Sequence, residues 1–126
     1  MNKKELMERL SILQQSDSIT AQAAKVTEKA FDYLRITLCK DDIEQGEMLF
    51  THLPFAMTRL SAGEIIEGPS EAIINEAKST RYAERINTEI FYLETQWGKE
   101  LPQAEKDYLF IHYSLIYQVN LGGESK

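Results

Sequence analysis

Apolar residues along this chain return at intervals of three and four rather than two, the period of a helix with one buried stripe and not of a half-buried strand. The pattern predicts an all-α protein. A first short segment carries Leu6, Leu10 and Leu13 on one stripe and ends at the polar run Gln14-Gln15-Ser16-Asp17-Ser18, whose last members can cap the next helix. From Ile19 the stripe continues through Ala23, Val26, Ala30, Tyr33, Leu34 and Leu38, about five turns at a period of about 3.6 residues. Asp41 and Glu44 have the spacing of a capping box, which predicts a third helix starting there and ending at Ala62-Gly63. Pro54 lies inside that span. It removes one hydrogen bond and crowds the Phe50 carbonyl, so either a kink or a fresh helix beginning at Pro54 is expected.

The run Glu64-Ile65-Ile66-Glu67-Gly68-Pro69 reads as a linker, and Ser70 as the cap of a short helix through Ile73, Ile74 and Ala77. Another helix places Tyr82, Ile86, Ile90, Leu93 and Trp97 in register and closes at Gly98. Pro102 suits the first turn of a last helix running to about Val119. The expected organisation is an N-terminal helical extension over residues 1–17, one helical domain over 18–120 and a flexible tail over 121–126.

Composition narrows the function. A chain of 126 residues suits one core. Fourteen basic against 20 acidic residues leave a net charge of −6, which repels phosphate backbones and acidic lipid, so neither direct nucleic-acid binding nor membrane association is expected. The single cysteine, Cys39, cannot form an internal disulfide and reads as a small core residue near a helix end. The stretch Met1 to Arg9 lacks the uninterrupted apolar run of a secretory signal, and no window approaches the roughly 20 apolar residues that span a bilayer. A cytoplasmic protein is expected.

Candidate chemistry rests on the two histidines, His52 and His112, each embedded in bulky apolar neighbours. Imidazole can be a nucleophile, a proton shuttle or a metal ligand near neutral pH. His52 lines up with Met48, Phe55 and Arg59, whose guanidinium lies two turns on, about 10 Å along the axis. His112 shares a face with Glu105, Tyr108, Leu109, Leu115, Ile116 and Val119 and is expected on a buried or half-buried stripe. Packed, hydrogen-bonded histidines without chemical function are the plain alternative. A metal site is disfavoured, because no local His-x-x-x-His or Glu-x-x-His spacing is present.

Two motifs carry a resemblance. The run His52-Leu53-Pro54-Phe55-Ala56-Met57-Thr58-Arg59-Leu60 followed by Ser61-Ala62-Gly63, and the run Leu101-Pro102, Glu105, Leu109-Phe110-Ile111-His112, resemble the phosphotransferase-system regulation domain, a helical module of bacterial antiterminators and activators. The likeness extends from about Thr20 to Val119. It implies a five-helix bundle, here with an extra N-terminal helix, that commonly dimerises. It further implies His52 and His112 as phosphoacceptors, with Arg59 and Glu105 supporting the imidazole or the added phosphate. The phosphocarrier protein or a sugar-specific enzyme IIB component would be the donor. Neither catalytic turnover nor a cofactor is implied. Members usually carry two copies fused to an effector domain, so a single copy is expected to control sugar-utilisation genes through an effector protein in trans. Members also often have an acidic residue just before the first histidine, where this chain has Thr51. The alternative within the same fold is a degenerate dimerisation or scaffold module that takes no phosphate.

Overall fold

Each apolar stripe folds into a helix, and a computed structural model describes residues 1–122 as six helices, with no strand among the described residues. The first, α1 (Lys3–Gln15), starts at a capping box that lies outside its apolar stripe: the Asn2 side chain accepts from the Glu5 amide at 2.8 Å, and Glu5 accepts from the Asn2 amide at 3.1 Å. Helix α2 (Ala21–Leu38) is capped by Thr20, whose hydroxyl accepts from the Ala23 amide, and not by the expected Ser16 to Ser18 stretch. The remaining helices are α3 (Glu47–Ser61), α4 (Glu71–Lys78), α5 (Ala83–Trp97) and α6 (Gln103–Leu121).

Helix α2 is the hub, packing against α1, α3 and α5 and touching α6. Its Phe31 meets Phe50 of α3 edge to face, ring centroids 4.9 Å apart, and both rings are fully buried. Burial of such a ring contributes about 2–3 kcal/mol. Leu34, Leu49, Leu53, Met57, Ile86, Leu93, Leu109 and Tyr113 complete the centre of the core.

The capping box expected at Asp41 and Glu44 does not form. Helix α3 begins at Glu47, and the preceding loop is held by tertiary contacts instead. Asp41 pairs with Arg35 at 3.1 Å. Asn120 of α6 accepts from the Glu44 amide at 3.0 Å and donates to the Glu44 carbonyl at 2.9 Å, satisfying the groups a helical turn would have used. Gln45 takes a left-handed φ of +63° just before the helix.

No new helix begins at Pro54. Helix α3 runs through it, with Leu53 and Pro54 both buried, and the Thr58 hydroxyl donates to the Pro54 carbonyl at 2.8 Å. Hydrophobic burial of this face outweighs the lost amide. Ser70 caps α4 as expected, and Gly98 closes α5 with a φ of +95°. Cys39 departs from expectation: it is exposed, and it takes a left-handed φ of +57° as the cap just after α2. Leu121 belongs to α6 rather than to a tail, and the part of the expected tail over 123–126 lies outside the described residues. No described helix is long and apolar enough to cross a membrane.

Candidate functional site

Helices α3 and α6 lie side by side and antiparallel, since Glu44 ahead of α3 meets Asn120 near the end of α6 while His52 meets Glu105 near its start. This pairing brings the two histidines, 60 positions apart in sequence, onto one cleft, with ring centroids 5.6 Å apart. The cleft has a volume of about 580 Å³ and is lined by Glu47, Met48, Thr51, His52, Phe55, Arg59 and His112. Met48, Phe55 and Arg59 thus stand with His52 as helical spacing predicts.

Glu105 is placed differently from what its position implied. It shares a helix with His112, but its Oε2 lies 2.9 Å from Nε2 of His52. The Glu105 side chain is fully buried while that of His52 is 26% exposed, so the carboxylate backs the ring from inside and the outer edge faces the cleft. A carboxylate only accepts, so this contact puts the hydrogen of a neutral His52 on Nε2 and leaves the lone pair on Nδ1. Neither Nδ1 of His52 nor either nitrogen of His112 has a hydrogen-bond partner among the described residues. The other Glu105 oxygen, Oε1, is buried without a partner as well.

His112 is half-buried, and its neighbours Leu115 and Val119 are exposed rather than buried, so its face is the border of the core. Burial, reinforced by the nearby His52 ring, pushes the His112 imidazole below the usual histidine range, with Glu105 opposing. A neutral ring keeps an unprotonated nitrogen. Tyr108 approaches from α6, its ring 6.4 Å from that of His52. Arg59 is exposed, with no ion pair or hydrogen bond from its side chain among the described residues.

Two contributors were not legible in the sequence. Arg9 of α1 donates from Nη1 to the Thr51 hydroxyl at 2.6 Å, bringing a second guanidinium beside the cleft. Its partner is 42 positions away, and no local motif marks the pair. A separate polar cluster lies between α5 and α6: the Tyr117 hydroxyl donates to buried Glu89 at 2.6 Å, and Arg85 stacks over Tyr117. Burial pushes Glu89 up to about 7, outweighing the Tyr117 hydrogen bond that favours its charged form. No group of three or more potential ligands that could hold a metal ion occurs among the described residues.

The arrangement brings together two imidazole rings on an open cleft, a buried carboxylate bonded to one of them, and Arg59 lining the same cleft. The family model for the PRD domain matches residues 24–115, which takes in both histidines, Arg59 and Glu105 and leaves α1 outside. No curated protein and no solved structure matches the chain.

Proposed function

The chain belongs to the PRD domain family, and from that premise we propose that it is a regulatory module, without catalytic turnover, that is reversibly phosphorylated on histidine and acts through protein contacts to control sugar-utilisation genes. One observation carries the reading: His52 and His112 meet at 5.6 Å on an open cleft, with a buried carboxylate bonded to the inner nitrogen of His52. A packing role alone would not require two half-exposed rings on a cleft that also holds Arg59.

In the transfer, the Nδ1 lone pair of His52 attacks phosphorus in line. The bond from phosphorus to the donor's nitrogen or sulfur breaks, and its electron pair stays with the donor. The ring becomes a phosphoimidazolium, and the Glu105 carboxylate beside Nε2 holds the positive charge or takes the proton. The new group adds a charge of roughly −1.5 to −2, which Arg59 is positioned to meet. His112 is the second acceptor. Two unit charges about 6 Å apart at an effective dielectric of about 20 repel by roughly 3 kcal/mol, so double occupancy of the pair is disfavoured.

The donor is the phosphorylated carrier protein or an enzyme IIB component. The module pairs as a homodimer and reaches its effector in trans. Support for a contact face beside the cleft comes from Met48, Leu115 and Val119, which are 64%, 44% and 40% exposed at the end of α3 and α6 where Glu44 meets Asn120.

Incubation with phosphoenolpyruvate, enzyme I, the carrier protein and candidate IIB components tests the proposal. An acid-labile adduct is expected, reduced by His52→Ala or His112→Ala and abolished by the double substitution. A complete set of active donors that leaves no such adduct contradicts it.

A further inference from the structure

Arg9 comes from α1, outside the matched span of residues 24–115, so the family relationship gives it no role. Its side chain is half-buried, its one hydrogen bond among the described residues goes to Thr51, and it forms no ion pair there. Thr51 is neutral, immediately precedes His52 and lines the same cleft. A hydroxyl is a weak partner for a guanidinium, whose planar fork is matched far better by an anion with several oxygens. Glu47 is the acidic group on the cleft, and the chain's amino group lies 3.3 Å from its carboxylate. Arg9, bonded to Thr51, and Arg59, two turns along α3, therefore bring two guanidinium groups to the cleft that holds His52; neither forms an ion pair among the described residues, and Arg9 feels the Glu47 carboxylate only electrostatically, sharing it with the chain's amino group.

Resting on the phosphoacceptor reading of His52, we propose that Arg9 is the second guanidinium of this cleft: it exchanges Thr51 for a phosphoryl group carried by His52 and so fastens α1 to α3 more tightly in the modified protein. The exchange needs only rotation of a long side chain already held against Thr51, the residue before His52. Helix α1 becomes a reporter of the modification. It is otherwise attached through the buried Leu6 and Leu10 and through Lys3, which pairs with Glu28 and Asp32 of α2. The amino group just ahead of α1 also pairs with Asp42 and with Glu47 of the cleft, a contact that Arg9→Met leaves in place.

The test uses the full chain and potassium phosphoramidate, a small donor that phosphorylates histidine without any partner protein. Hydrogen exchange of the α1 amides and the phosphorus NMR titration of the phosphoryl group are compared between wild type and Arg9→Met. Phosphorylation at His52 is expected to slow α1 exchange about tenfold in wild type and to leave it unchanged in Arg9→Met. The phosphoryl group should also titrate at higher pH in the variant, where a nearby cation has been removed. If Arg9→Met detaches α1 even before modification, Thr51→Val serves instead: it removes the hydroxyl, keeps the guanidinium and should retain the phosphate-dependent protection. Phosphohistidine at position 52 with α1 exchange and titration identical in wild type and Arg9→Met overturns the role of Arg9 and leaves the acceptor reading standing. Absence of phosphohistidine at either ring overturns both.

Discussion

At the scale of single residues, Glu105 bonds Nε2 of His52, and in the proposed transfer it would hold the charge the ring gains. Replacing it with Gln keeps the size and a hydrogen-bonding oxygen while removing the negative charge. A hydrogen bond to a charged group contributes about 1.5–3 kcal/mol, so phosphoryl transfer to His52 in Glu105→Gln should slow roughly tenfold to a hundredfold, measured as the initial rate of adduct formation. His112 gives a pH prediction. Its folded-state value lies below the ordinary 6.5, so the stability it contributes is present above 6.5 and is lost as the pH falls through the depressed value. Proton NMR should show His112 titrating below 6.5, and His112→Gln should flatten the acid side of the stability profile. A midpoint above 6.5 would contradict the burial argument.

At the scale of elements, α5 and α6 are joined through a carboxyl group whose neutral form is favoured by burial. Glu89 is pushed from 4.5 to about 7, so its contribution to stability is complete below pH 4.5 and is lost as the pH rises through about 7. Full ionisation costs roughly 3 kcal/mol from that displacement. Glu89→Gln can still accept from Tyr117 and should be the more stable protein at about pH 8 in urea unfolding, with the difference vanishing near pH 4. Gly98→Ala should destabilise by about 1–2 kcal/mol, because no neighbour crowds a Cβ there and the φ of +95° is the strain that remains. The helices themselves were legible because their stripes are long: Ile86, Ile90, Leu93 and Trp97 are buried as their spacing requires, and Gly98 ends that helix. The start of α3 was not legible. Asp41 and Glu44 have the spacing of a cap, but Asn120, 76 positions beyond Glu44, captures that loop. Pro54 was overridden in the same way, since burial of its face keeps α3 continuous.

At the scale of the whole molecule, helical spacing placed Met48, Phe55 and Arg59 with His52, whereas the meeting of His52 with His112 and Glu105 depends on the packing of α3 on α6, which no local pattern encodes. The contribution of α1 through Arg9 was hidden for the same reason. The apolar side chains of Met48, Leu115 and Val119 beside the histidines suit a dimer contact. Leu115→Asp with Val119→Asp is expected to yield a monomer in sedimentation, with unchanged helix content by circular dichroism; an unaltered dimer would place the contact elsewhere. The expectations for phosphoryl transfer, Glu105→Gln and Arg9 among them, depend on His52 being a phosphoryl acceptor. Phosphorus NMR of the protein after enzymatic phosphorylation, kept at alkaline pH, tests that directly. A phosphoramidate signal correlated with Nδ1 of His52 and lost in His52→Ala is expected, and phosphorus found only as a hydroxyl ester, or on no ring nitrogen despite active donors, would contradict a phosphoacceptor role for His52.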